Sequence, residues 1–351
     1  MNEVGSSHSS RAEARMALQE ALSEIKRVIV GQDAMLERLL VSLLAGGHVL
    51  LEGVPGLAKT LTVKTLASVL GGSYGRIQFT PDLVPADLVG TRVWRPDTGM
   101  FDTELGPVFH NFVLADEINR APAKVQSALL EVMQEQQVTI GGSTFRVPVP
   151  FIVMATQNPI ESEGTYPLPE AQVDRFLMKI LVGYPSVGEE AAVVGRSLAA
   201  AVTVRECLSL EDLERHRQTA ATIIADRDVI GYAVSLADAT RNPGRYGLGD
   251  LASLIEFGAS PRGPIGLVQA ARVLALLRGR SAVHTQDIRD LAPDVLRHRL
   301  VVSYDALSDG ISADQVLDKI LGAVRTPGGA LIGGNAPISD DQPTIVQEAG
   351  A

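Results

Sequence analysis

Hydrophobic positions first recur at helical spacing. Over residues 14–29, Leu18, Leu22 and Ile25 fall on one side of a helix, and residues 35–44 repeat that pattern after a turn at Val30-Gly31-Gln32. The pattern then changes to five short apolar runs, at residues 48–51, 76–79, 111–115, 151–155 and 177–181, separated by helical patterns or inserts. Each run is too short for a helix and too continuously apolar for a strand with one wet face, which is how inner strands of a parallel sheet read. The expectation is an α/β fold with a five-stranded parallel sheet, preceded by two helices.

Two stretches do not fit a minimal sandwich. Residues 91–105 alternate around Pro96-Asp97-Thr98-Gly99, and residues 138–148 around Gly141-Gly142-Ser143, so both predict inserted β-hairpins. Such inserts either carry partner or substrate contacts or brace the fold, and the pattern leaves both open. From about residue 208 strand patterns cease. Helical spacing at 210–222, 229–240, 266–278 and 285–292 predicts a small all-α second domain ending near residue 303, with Ser209 and Thr285 marking helix starts. The domain plan is a polar tail over 1–12, an α/β core over 13–200, a helical lid over 208–303 and a flexible Gly- and Pro-rich tail over 326–351.

Composition narrows the class of function. The 351 residues exceed what one hydrophobic core usually fills. With 46% hydrophobic and 21% charged residues the balance is that of a soluble globular protein. A formal charge of −10 argues against a basic surface made for duplex DNA, so nucleic acid is a secondary hypothesis. Cys207 is the sole cysteine, which excludes an internal disulfide and favours a reducing compartment. No segment has about 18 uninterrupted apolar residues, so no membrane span is expected and the reading is cytoplasmic. The histidines show no ligand spacing, which argues against a transition-metal site. Arg297-His298-Arg299 is a short basic run at a helix end, read as solvated or paired with the helix dipole.

The strongest chemical signal is Gly53-Val54-Pro55-Gly56-Leu57-Ala58-Lys59-Thr60, directly after the first apolar run and before a helical pattern that continues through Leu61. A glycine-rich strand-to-helix loop aims backbone N–H groups and the positive end of a helix at phosphates. Lys59 would neutralise the terminal phosphates and Thr60 would offer its hydroxyl to Mg²⁺. Ala58 stands where a glycine usually precedes the lysine, a departure that is mild if its φ is negative. The third run ends in Asp116 and Glu117, which puts two acids at the sheet edge where open α/β folds bind ligands. Asp116 would hold Mg²⁺ through its water shell, and Glu117 would polarise an attacking water. Asn158, ending the fourth run before Pro159, could orient that water, although Asn-Pro is also an ordinary turn former.

Taken together, Gly-x-Pro-Gly-x-Ala-Lys-Thr, Ala-Asp-Glu-Ile-Asn-Arg-Ala at 115–121, Ala-Thr-Gln-Asn-Pro at 155–159 and Glu-Ala-Gln-Val-Asp-Arg-Phe at 170–176 resemble the MoxR family of AAA+ ATPases. In that family alanine before the loop lysine is itself a trait. The resemblance runs from about residue 25 to 303 and implies an AAA+ P-loop NTPase core with a helical lid. It implies that Val30 and Gly31 border adenine, that Asn158 is a sensor and that Arg262 is a second sensor reaching from the lid to the γ-phosphate. It further implies that Arg175 is an arginine finger offered to a neighbouring subunit, with Arg120 as the rival donor. It implies ATP and Mg²⁺ as cofactors, a homo-oligomer in the form of a hexameric ring, and protein clients matured with a von Willebrand factor A domain partner. The rival readings are a metal-chelatase or DNA-remodelling ATPase and a nucleotide-gated scaffold that does not turn ATP over.

Overall fold

The computed structural model describes residues 2–159, 164–200 and 202–327. All but the first two positions of the expected C-terminal tail lie outside the described residues. Each of the five apolar runs is a strand. In chain order the strands are β1 (Val49–Glu52), β2 (Tyr74–Gln78), the hairpin β3 (Gly90–Arg95) and β4 (Met100–Leu105), β5 (Phe112–Asp116), the hairpin β6 (Gln137–Ile140) and β7 (Ser143–Arg146), β8 (Ile152–Gln157) and β9 (Met178–Leu181). One parallel sheet is ordered β2-β5-β8-β1-β9, and both hairpins stand outside it as separate antiparallel pairs.

The alternation of side chains explains why the inner runs are apolar throughout. Val49 and Leu51, Phe112 and Leu114, and Ile152 and Met154 join one buried layer, while Leu50, Val113, Ala115, Val153 and Ala155 join the other. The first layer is covered by helices Asn2–Lys26, Asp33–Ala45 and Lys59–Val69, and the second by helix Ala123–Glu135. Each fully buried Leu, Ile or Val contributes about 1.5–3 kcal/mol, so a strand wet on neither face is the stable solution.

Three expectations need correction. The first helix begins at Asn2 rather than near residue 13. Ala14 and Leu18 fix its second half in the core, and extending a nucleated helix into a polar stretch costs little per residue. The lid does not end near residue 303, because helix Ala313–Ala323 buries Val316, Leu317 and Ile320 in the same cluster as the lid helices. Nor is it wholly helical, since β10 (Ile255–Phe257) pairs antiparallel with β11 (Val301–Val302); two strands this short leave no periodicity to read.

Lid and core are welded at their bases. Leu267, Ala270 and Leu274 of lid helix Arg262–Leu277 belong to the apolar cluster that contains Leu36 and Leu40 of helix Asp33–Ala45. His48, just ahead of β1, is buried, accepts the Val153 N–H at 3.0 Å through Nδ1 and reaches the Met133 carbonyl at 3.2 Å through Nε2. That pairing assigns the proton to Nε2. Burial pushes its pKa down to about 4, partly offset by the Met133 hydrogen bond, so it is a neutral strut and not a ligand.

Candidate functional site

The loop of residues 53–60 leaves β1 at the carboxyl edge of the sheet. Gly53 donates its N–H to the Gln157 carbonyl at 3.2 Å, and a Cβ there would lie 2.6 Å from the Val182 carbonyl oxygen, so this position accepts only glycine. Gly56 has φ +86°. Leu57 points inward as the loop's apolar anchor, while Val54, Pro55 and Leu61 stay partly or fully exposed. Lys59 donates to the Gly53 carbonyl, folding the loop over its own ammonium group. Burial pushes the Lys59 pKa down, against the pull of the Asp116, Glu117 and Glu52 carboxylates.

Ala58 corrects the expectation of negative φ, since it sits at φ 56°, ψ 18° as the residue capping helix Lys59–Val69. A methyl-bearing residue in the left-handed region costs about 1–2 kcal/mol. Glu117 at φ 57° and Gln32 at φ 58° share that conformation, and among the described residues only Gln136 joins them as a non-glycine residue with positive φ. Three of the four thus belong to segments that the sequence marks for one site, as expected where a scaffold holds strained backbone for function.

On the carboxylate side the geometry is built by side chains. Asp116, buried at the end of β5, accepts the Thr156 hydroxyl at 2.6 Å through Oδ1. Its Oδ2 accepts Arg76 at 2.7 and 3.2 Å and faces the Thr60 hydroxyl at 3.4 Å. The same Thr156 oxygen accepts the Glu117 N–H at 2.8 Å, so one buried hydroxyl orients both acids. Glu117 Oε2 takes the Gln78 amide at 3.0 Å and pairs with Arg120 at 3.0 Å. Thr156, Arg76 and Gln78 carry no role in the sequence reading. The trace that could have found the last two is the β2 alternation, in which Arg76 and Gln78 flank buried Ile77 and both point at the register partners Leu114 to Asp116.

Thr60 and Asp116 supply two hard oxygen donors on facing elements, a set that fits Mg²⁺ retaining most of its waters and taking the rest of its shell from phosphate. Among the described residues no group of three or more His, Cys, Asp or Glu could hold a metal ion. Asn158 is buried one residue beyond Gln157, next to the Gly53 contact. Val30 and Gly31 lead into Gln32, whose amide donates to the Gly183 carbonyl at 2.9 Å. Beside them Gln32, Met35, Ile180, Leu181, Tyr184 and Pro185 line an open pocket together with the charged side chains of Arg38, Glu189 and Asp294.

Two arginines sit apart from this cluster. Arg175 donates to the Leu130 carbonyl at 2.9 Å, pairs with no carboxylate among the described residues, and lines a cleft that includes none of residues 53–60. Its neighbour Asp174 is the one that makes ion pairs. Arg262 reaches Asp174 Oδ2 at 3.3 Å rather than the phosphate loop. Helix Arg262–Leu277 starts at Arg262, four residues before the helical spacing that the sequence shows from residue 266. The residue that Pro264 restricts is Gly263, which tolerates the restriction, and the proline's missing N–H falls in the first turn where it has no helical partner.

Residues 48–178 match the family described as "ATPase family associated with various cellular activities (AAA)", and residues 251–320 match the AAA lid domain. The chain is 58% identical to Chaperone MoxR1 of Mycobacterium tuberculosis over 88% of its own length and 82% of the relative. It is 36% identical to Protein MoxR of Paracoccus denitrificans over 81% and 88%. A crystal structure of a candidate ATPase from Cytophaga hutchinsonii superposes with a TM-score of 0.88 at 46% identity, covering 93% of this chain and 99% of that one.

Proposed function

Because the chain belongs to the MoxR family of AAA+ ATPases, we propose that it hydrolyses ATP to ADP and phosphate and uses the cycle to remodel protein clients in the cytoplasm. The observation that carries this reading is the approach of Asp116 Oδ2 to the Thr60 hydroxyl at 3.4 Å. It brings the end of the phosphate loop and the pair of acids to one point. Thr60 and Asp116 are the residues that would hold Mg²⁺, which would supply positive charge to the phosphates.

The chain's own groups divide the remaining work. Lys59 exchanges the Gly53 carbonyl for the terminal phosphates, alongside the backbone N–H groups of residues 53–60. Glu117 polarises the attacking water, and Thr156 keeps its backbone in place. Gln78 and Arg120, which both contact the Glu117 carboxylate, hold it beside the loop. Asn158 orients the water, and Val30 and Gly31 with the adjoining pocket receive adenine.

Arg175 acts in a neighbouring subunit. Support comes from its separate cleft and from Arg120, the rival, being tied to Glu117 of its own chain. An arginine donated across an interface stabilises charge on the transferring phosphoryl group by about 10³- to 10⁵-fold in related GTPases. That requirement makes a homo-oligomer, read as a hexameric ring, the active form. Arg262 becomes the second sensor once it leaves Asp174. Support for a protein client is that one relative is named a chaperone, and the von Willebrand factor A domain partner rests on the family resemblance of the motifs alone.

The test is ATPase activity against protein concentration, with the mass of the assembly measured in parallel. Specific activity is expected to collapse as the assembly dissociates. Unchanged activity in a demonstrated monomer would remove the shared site, and turnover stimulated by DNA would replace the protein client with nucleic acid.

A further inference from the structure

We propose that the triplet Arg297-His298-Arg299 couples the lid to the Arg175 segment, making Arg299 and His298 positioning residues for hydrolysis in the neighbouring subunit. The inference rests on the reading of Arg175 as the trans-acting arginine. From the sequence this basic run reads as solvated or paired with the helix dipole. His298 and Arg299 are instead 9% and 7% exposed, and all three side chains grip a single stretch of core backbone.

The three residues form one 3-10 turn between helix Thr285–Leu296 and β11. Arg297 donates to the Lys179 carbonyl at 2.6 Å, on edge strand β9, and His298 Nε2 bonds the Phe176 carbonyl at 3.0 Å. Arg299 bonds the carbonyls of Asp174 at 3.1 Å, Phe176 at 2.7 Å and Leu177 at 3.1 Å, together with Asp174 Oδ1 at 2.8 Å. It also bonds the Val295 carbonyl on its own side. The carbonyls on either side of Arg175 are therefore held by one buried guanidinium that belongs to the lid.

A buried guanidinium is expensive unless its donors are filled, and here they are filled by acceptors that the lid cannot leave cheaply. Arg262 forms the contrast, since its side chain is 50% exposed and makes a single bond to Asp174 at 3.3 Å. The lid thus has a permanent grip at Arg299 and a displaceable one at Arg262. When Arg262 lets go, its end of the lid shifts against the triplet while the apolar base stays packed, and the backbone of residues 174–177 must follow.

A double-mutant cycle separates positioning from bulk stability. Arg299→Lys keeps the charge but cannot reach the same set of acceptors. In the assembled protein it should lower kcat about 10- to 100-fold, the scale of a catalytic group displaced by about 1 Å, while leaving KM for ATP and the affinity for a fluorescent ATP analogue within about twofold. In an Arg175→Ala background the same substitution should cause no further loss, because it acts through Arg175. A multiplicative further loss, or an Arg299→Lys kcat equal to wild type, overturns the coupling while leaving the trans arginine intact. Full activity of Arg175→Ala alone would overturn the trans reading, and the coupling with it. Should Arg299→Lys not fold, His298→Ala enters the same cycle. It loses one bond to the Phe176 carbonyl, and His298→Gln, which restores an amide donor there, should recover kcat.

Discussion

The two halves of the proposed ATP site are built from different material. The phosphate side is backbone: one short segment, residues 53–60, whose shape is set by glycines at two crowded or positive-φ positions and by Ala58 forced into the left-handed region. The carboxylate side is a side-chain network, in which Asp116 at the end of β5 and the backbone of Glu117 just after it are held by Thr156 from β8, and the two carboxylates are engaged by Arg76 and Gln78 from β2. A loop made of contiguous residues tolerates little change in order, whereas a network from three strands depends on register. The first half should therefore fail through local backbone geometry and the second through loss of orientation.

The strut that both halves share sets the largest expected effect on stability. His48 ties β1, which launches the phosphate loop, to β8, which carries Thr156. Its folded pKa of about 4 lies below the ordinary 6.5, so the unfolded chain takes up a proton that the folded chain refuses. The stabilisation is complete above about pH 6.5 and is lost as pH falls towards 4, by about 3 kcal/mol in all. His298, whose pKa burial also pushes well below 6.5, adds to the same slope. Urea midpoints followed from pH 7.5 to 5 should fall steeply in wild type and less steeply in His48→Gln. Equal slopes would remove His48 from the account.

Thr156→Val keeps the shape of the side chain and deletes the hydroxyl shared by Asp116 and Glu117. Turnover is expected to drop about 10- to 100-fold, as when the groups that orient metal ligands are lost, with nucleotide affinity nearly unchanged in a titration without hydrolysis. A matching loss of affinity would mean that the two halves are not separable.

The smallest effect distinguishes the backbone half. Ala58→Gly relieves a left-handed alanine worth about 1–2 kcal/mol but frees the unfolded chain by about 0.4–1 kcal/mol. The net change is from neutral to about 1.6 kcal/mol stabilising. Elsewhere in a helix such a change costs about 0.5–1 kcal/mol, so a fall of that size in thermal unfolding would deny the strain.

The same contrast explains what the sequence made legible. Five strands and both hairpins were readable because each is contiguous and periodic, and the loop at 53–60 and the acid pair could be proposed as parts of one site because each is a contiguous motif. Thr156, Arg76 and Gln78 were not, because their meaning comes from register: Gln78 stands opposite Asp116 only once β2 and β5 have paired. The basic run at 297–299 was misread for the same reason. Its acceptors are main-chain carbonyls more than 100 residues away, which no local pattern records. Helix Ala313–Ala323 was missed beyond the domain boundary even though its buried Val316, Leu317 and Ile320 have helical spacing.

The most direct test of hydrolysis by Glu117 on a loop that binds through Lys59 is a paired measurement of binding and turnover in Glu117→Gln and Lys59→Ala. Glu117→Gln is expected to bind ATP like wild type while turnover falls by about 10²-fold or more, and Lys59→Ala to lose binding itself. Turnover in Glu117→Gln equal to wild type, with ATP bound at the loop, would contradict the account.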